Sequence, residues 1–539
     1  MGKLIALKLL KYLIIAFYLF FFSACSTSLK GDKTEVFRYN EHTNISSLDP
    51  AFAKNQSNIW VVNQLFSGLV QLDDSLKVQP DIAKHWKISV DGEKYTFYLR
   101  NDVFFHKHKL FGKDSTRRVK ASDFVFSFNR LQDEKVVAPG SWVLKNVSSY
   151  TAENDTTFVI TLKESFPPFL GLLTMKYCSV VPQEAVDFYE ADFRSNPIGT
   201  GPFQFKLWVE NTKLVLRKNT LYYEKDINGA PLPYLEAVAI TFLPDKQSEF
   251  MQFVQGNIDF ISGLDASYKD ELLLNDGTLN PKYESQFNMY KNSYLNTEYL
   301  GFYLKEIKGT APVHELLRKA INYGFDREKM MLYMRNGIGI AAKHGIVPVG
   351  LSSSRNVKGF TYDIEKAKKL VLAYQQLTGN NYPKVTISTN SQYVDLCEFI
   401  QREVQKIGIE MHVEVVPAST LKQAKATGKL SVFRGSWIAD YPDAENYLSL
   451  FYSKNFAPEG PNYFHYKNDL FDLWYEKSFT LTNDLKRNEL YQKMDSLLMS
   501  SAPIVPLYYD EVLRFTQENV VDLGINPINL LILKRVKKK

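Results

Sequence analysis

From Thr34 to Leu110 the chain alternates apolar and polar residues in short runs separated by turn signals. This is the pattern of strands whose successive side chains face opposite ways. Tyr95-Thr96-Phe97-Tyr98-Leu99-Arg100 is one such run, and Val90-Asp91-Gly92-Glu93 before it predicts a hairpin turn. The alternation returns at Thr157–Leu162, and again after the turn Gly199-Thr200-Gly201-Pro202. Beyond residue 295 the period lengthens. Val313, Leu316, Leu317, Ala320 and Ile321 recur at helical spacing behind Pro312, a residue suited to a first helical turn. Asp363 predicts the cap of a helix that Gly379 ends. Val385 and Ile387 predict a strand. Val394, Cys397, Ile400, Val404 and Ile407 then share one helical face up to Gly408. Ile409–Val415 and Leu430–Trp437 supply two further strands. A mixed front and an α/β rear predict separate lobes meeting at a cleft, the usual place for a small ligand.

Length agrees. At 539 residues the chain exceeds the roughly 250–300 residues at which single cores stop growing. Composition is that of a globular protein, 45% hydrophobic and 23% charged, which excludes extensive disorder. The 32 Tyr and 37 Phe suit a large mixed core as well as a lined cleft. The net charge of +6 is spread along the chain, without the basic stripe of a nucleic-acid binder. Its one basic run, Lys534, Arg535, Lys537, Lys538 and Lys539, reads as a solvated tail. Three cysteines, Cys25, Cys178 and Cys397, form neither a disulfide framework nor a close zinc-binding pair, and Cys397 reads as packed in its helix.

The N-terminus carries an address. Lys3, Lys8 and Lys11 precede an apolar run from Tyr12 to Phe22, then Ser23-Ala24-Cys25. A basic start, a short apolar block and small residues before a cut site describe an export signal. The block is shorter than the roughly 20 apolar residues needed to span a bilayer. The ending resembles a bacterial lipobox with Phe22 in place of the usual Leu. That resemblance implies cleavage before Cys25, acylation of the new terminus and a membrane-tethered mature chain outside the cytoplasm. A plain secretory signal is the alternative.

Enzyme signatures are wanting. There is no Gly-Lys-Ser/Thr phosphate loop and no Gly-x-Ser-x-Gly elbow, and His314-Glu315 lacks the second histidine of a zinc-protease helix. His106 and His108 read as exposed hairpin histidines rather than metal ligands, since Lys107 and Lys109 make that neighbourhood cationic.

Several segments, in order, carry a family resemblance: Ser47-Leu48-Asp49-Pro50-Ala51, Pro80-Asp81-Ile82-Ala83-Lys84-His85-Trp86, Ala121–Ser127, Pro197-Ile198-Gly199-Thr200-Gly201-Pro202-Phe203, Gly256–Phe260, Arg318–Arg327 and Trp437-Ile438-Ala439-Asp440-Tyr441-Pro442-Asp443. Together they resemble the extracellular solute-binding proteins that serve oligopeptide, dipeptide and nickel ABC importers. The longer His108–Arg118 insertion departs from that family's short turn. Most of the motifs read as structural: Gly199 and Gly201 for backbone angles other residues resist, Asp326 as a helix cap.

The resemblance implies an α/β fold of the periplasmic-binding-protein kind, two main lobes around a hinged cleft plus an accessory lobe. The expected division is a signal peptide over 1–24, lobe I from 25–75 with 195–295 and 505–539, an accessory lobe over 76–194, and lobe II over 296–504. By the same resemblance Asp440 receives the free amino group of a short peptide. Gly435, Ser436 and Trp437 present backbone to it, and Asn55 and Gln56 beside Lys54 complete the clamp from the other lobe. The expected partners are short peptides and ABC permease and ATPase subunits, with membrane contact through a lipid on Cys25 and no nucleic acid. The chain is expected to be a monomer without catalysis, cofactor or metal. Nickel chelate, haem or another solute remains open as cargo. An exported hydrolase and a surface sensor or adhesin are the readings of a different class.

Overall fold

The computed structural model describes residues 35–265 and 267–539; the export signal and Cys25 lie outside the described residues. The strands of one eleven-stranded sheet organise the chain. They include β1 (Val36–Asn40), β2 (Phe203–Val209), β3 (Lys213–Lys218), β4 (Ala237–Thr241), β5 (Phe260–Ser262), β6 (Phe287–Phe302), β7 (Lys384–Thr389), β8 (Glu410–Val415), β9 (Val432–Ile438) and β10 (Ile504–Gln517). Their spatial order is β8-β7-β9-β6-β10-β5-β1-β4-β3-β2.

β6 and β10 hold the two halves together. They pair antiparallel from Phe287 opposite Gln517 to Gly301 opposite Ile504, with the register shifting between Ser293 and Thr297. On one side of that irregularity β10 continues to β5, and on the other β6 continues to β9. The expected boundary between residues 295 and 296 therefore falls inside β6, and the lobes share a strand there. The apolar cores divide accordingly. Phe37, Leu65, Phe203 and Leu531 belong to one, while Tyr447, Phe451 and Leu498 belong to another.

Local chemistry fixes the elements. Helix α1 (Gln56–Leu65) follows β1 and buries Trp60, Val61 and Leu65. In the rear lobe, α2 (Ile364–Thr378) starts where the Asp363 carboxylate accepts the Lys366 N–H at 2.9 Å, and it ends at Gly379 in the left-handed conformation. α3 (Val394–Gln405) buries Cys397, Ile400 and Val404 against parallel strands β7 and β8. Burying an Ile or Val side chain of this kind contributes about 1.5–3 kcal/mol. A four-stranded antiparallel sheet, from Ala83–Ile88 to Val147–Asn154, carries the helix Ala121–Gln132 with Phe124 and Phe128 against Phe158.

Three expectations are overturned. Gly199 and Gly201 are needed for space, not for unusual backbone angles: a Cβ on Gly199 would lie 2.1 Å from the Leu65 carbonyl oxygen, and one on Gly201 2.5 Å from that of Gln64. His106 is buried, bonded to the Gly201 carbonyl at 3.0 Å and receiving the Gly199 N–H at 3.2 Å, so burial lowers its pKa to about 4. The terminal basic run is no solvated tail. Lys538 is buried against Asp259 at 2.8 Å, and Lys534 pairs with Glu224 at 2.8 Å. Opposite charges placed along the core edge draw the terminus in.

Cys178 and Cys397 are buried free thiols. Among the described residues no helix is long and apolar enough to cross a membrane, and no group of three or more His, Cys, Asp or Glu could hold a metal ion.

Candidate functional site

A cavity of about 310 Å³ opens where α1, the segment Thr174–Tyr177, the loop after β9 and the segment 528–534 converge. Ligand pockets run from roughly 300 to 1,000 Å³, so this one suits a small cargo. Its walls are apolar at Ile59, Trp60, Ile438 and Ile528, and polar at Asp440, Gln56, Lys54, Lys176 and Lys534.

β9 delivers Asp440. The Ala439 N–H donates to the Leu295 carbonyl at 2.9 Å. Alternation along the antiparallel ladder then turns the hydrogen-bonding groups of Trp437, Gly435 and Phe433 toward β6, and those of Arg434, Ser436 and Ile438 away from it. On that far side β7 pairs with β9 only at Val432 and Phe433. Among the described residues, the backbone of Ser436 and Ile438 is therefore left on a strand edge that no other strand pairs, running up to Asp440.

Asn446 then turns the chain. Its Oδ1 accepts both the Trp437 indole N–H at 2.8 Å and the Asp440 backbone N–H at 3.2 Å. Beneath the turn, Tyr441 and Tyr475 both donate to the buried Glu445 carboxylate. Burial lifts that carboxyl to a pKa of about 7.

Asp440 has open surface, yet that surface faces the cavity, where surrounding walls limit the water around its carboxylate. Its pKa accordingly rises above the ordinary carboxylate value, with the Asn446 side chain pulling the other way. No cation among the described residues lies within ion-pair distance of it, and none contributes to its shift.

Lys176 is the converse. It lines the same cavity, forms no ion pair among the described residues, and is lowered to a pKa of about 8 by burial and by the neighbouring Lys534, with Asp81 opposing. Asp81 is itself engaged by the Gly68 N–H and the Tyr223 hydroxyl.

Of the expected site residues, Asp440 and Gln56 meet at the cavity. Ser436 belongs to the open edge beside it, whereas Gly435 is packed against the Tyr299 ring and Trp437 is turned to Asn446. Asn55 precedes α1 and is exposed without lining the cavity. Sequence reasoning missed Lys176 and Lys534. Lys534 was hidden in a run that looked like a tail, and Lys176 carries no pattern signal.

Comparison with known proteins agrees with this architecture. Residues 77–458 match the family described as bacterial extracellular solute-binding proteins, family 5 Middle. The chain is 27% identical over 477 residues to Heme-binding protein A of Haemophilus influenzae, covering 82% of this chain and 81% of that one. It is 23% identical over 487 residues to the Dipeptide-binding protein of Escherichia coli, covering 86% and 87%. The solved structure of the ABC transporter-associated periplasmic binding protein DppA from Helicobacter pylori, in complex with peptide STSA, superposes with a TM-score of 0.75 at 26% identity, covering 93% and 98%. With its two-lobed sheet, its cavity and a match over most of its length, the chain belongs to the bacterial extracellular solute-binding proteins of family 5.

Proposed function

We propose that this protein is the cargo-capturing component of an ABC importer, tethered outside the cytoplasm by a lipid on Cys25, and that its cargo is a short peptide held by its free amino terminus. The observation that carries the reading is the Asp440 carboxylate, which lines the cavity beside an open strand edge with no cation among the described residues within ion-pair distance. An ammonium that loses its water needs a fixed counter-charge. An extended peptide adding to the β9 edge gains main-chain hydrogen bonds whatever its sequence. Lys176 supplies a counter-charge for the peptide's carboxylate. Cargo that touches both lobes shifts the population toward closure, with no covalent step.

A second reading, haem or another non-peptide solute, draws on the apolar wall formed by Ile59, Trp60, Ile438 and Ile528. Native mass spectrometry of the protein purified from its own envelope separates the two. Co-purified masses that fragment as short peptides support the first, and a pigment or chelate overturns it. The same spectrum reports whether the chain begins at an acylated Cys25.

A further inference from the structure

A second cavity of about 310 Å³ lies on the other side of a wall it shares with the first, formed by Gln56, Trp60, Tyr294 and Asn529. Charged groups ring it, and nearly all are already matched. Lys246 pairs with Glu249 at 2.7 Å and Arg335 with Asp510 at 2.7 Å. Glu511 meets Lys291 at 3.6 Å and accepts the Gly339 N–H at 2.7 Å. Glu41, at the end of β1, is the exception. It is 6% exposed, its Oε1 has no hydrogen-bond partner, and no cation among the described residues stands within ion-pair distance. Glu41 lines this cavity, and a buried carboxyl oxygen without a donor is costly unless a rearrangement or a ligand supplies one.

We propose that the second cavity is a subsite for a positively charged side chain of the captured peptide, with Glu41 as its acceptor. This rests on the peptide reading above and adds a preference for basic cargo. Burial, with repulsion from Glu249 exceeding attraction from Lys246, raises Glu41 to a pKa of about 8, so it is mostly protonated at pH 7. His42 beside it is held below its usual pKa and stays neutral there. Tyr39 on the same strand is pushed well above its usual value and is uncharged too. Across the cavity Arg335, Asp510 and Glu511 are matched as described. An arriving ammonium ionises Glu41 and the displaced proton leaves to solvent, so the ring loses one unit of charge, the ammonium brings one, and the filled cavity keeps its net charge.

Titration calorimetry in two buffers of different ionisation enthalpy tests this at pH 7. The probes are Lys-Ala-Ala, Ala-Lys-Ala and Ala-Ala-Lys, each against its norleucine counterpart. One lysine peptide is expected to bind about tenfold tighter than its counterpart, the scale of one charge-assisted contact, and to release close to one extra proton. Its advantage grows from pH 6 to 8 and levels off above pH 9. Glu41→Gln, close in shape to the protonated side chain, abolishes both preference and proton release while norleucine peptides still bind. If norleucine peptides bind but no lysine peptide is preferred or releases a proton, the subsite is overturned and the peptide reading stands. If none of the six binds, the peptide reading fails and takes the subsite with it.

Discussion

Trp437 and Asp440 are held by one oxygen: the indole N–H of the first and the backbone N–H of the second converge on Oδ1 of Asn446, at 2.8 and 3.2 Å. The last residues of an open strand edge and the carboxylate beyond it are thereby fixed in one relation. Asn446→Ala removes this shared acceptor and leaves two donors without their partner. Each lost hydrogen bond costs about 0.5–1.5 kcal/mol. Urea unfolding should show a stability loss of about 1–3 kcal/mol by that scale. Peptide affinity should fall as well, because the Asp440 loop is no longer pinned.

Lys176 is a cation in the cavity with no ion-pair partner among the described residues. Lys176→Met keeps the length and removes the charge. Peptides with a free carboxyl terminus should bind at least about tenfold more weakly, the scale of a charge-assisted hydrogen bond, whereas C-amidated peptides should be unaffected. Fluorescence titration of paired peptides reads the difference. Equal behaviour of the two would remove Lys176 from the site.

The buried carboxyls Glu445 and Asp495 should lose their contribution to stability as pH rises from about 4 to 7. Burial lifts Glu445 and Asp495 to about 7, above the ordinary carboxylate range. The folded state therefore binds more protons than the unfolded chain between about pH 4 and 7. The stabilisation from the protonated form is present below that window and is lost as pH climbs through it. Denaturant midpoints measured from pH 5 to 8 should decline, and Glu445→Gln, which cannot ionise, should flatten the decline.

The C-terminal run is part of the fold. Lys538 and Asp259 form a buried ion pair, with side chains 4% and 6% exposed. Removing one partner of such a pair costs about 3–5 kcal/mol. Lys538→Ala should lower the urea midpoint sharply, while Lys539→Ala should leave it unchanged.

Local signals in the sequence were enough for the rear lobe. Asp363 caps and Gly379 ends α2 because capping depends on residues one turn apart, and the Cys397–Ile400–Val404 stripe faces inward because helical periodicity is local. Pairing across long distances was not legible. Nothing near Phe287 or Gln517 shows that they lie opposite one another, so the shared β6–β10 ladder is known only from the fold. The same holds for Gly201, whose role depends on the Gln64 carbonyl, and for Lys534, whose partner Glu224 is far away in the chain. Asp440 is singled out by its motif, but that no cation among the described residues pairs with it depends on what the other elements bring near it.

The most direct test compares wild type with Asp440→Asn by calorimetry, using trialanine and N-acetyl-trialanine. Losing the counter-charge of a desolvated ammonium costs about 2–5 kcal/mol, or roughly thirtyfold to a few thousandfold in affinity. The account predicts that loss for trialanine alone, with the acetylated peptide binding both proteins alike. An equal loss for both peptides, or none for either, would contradict it.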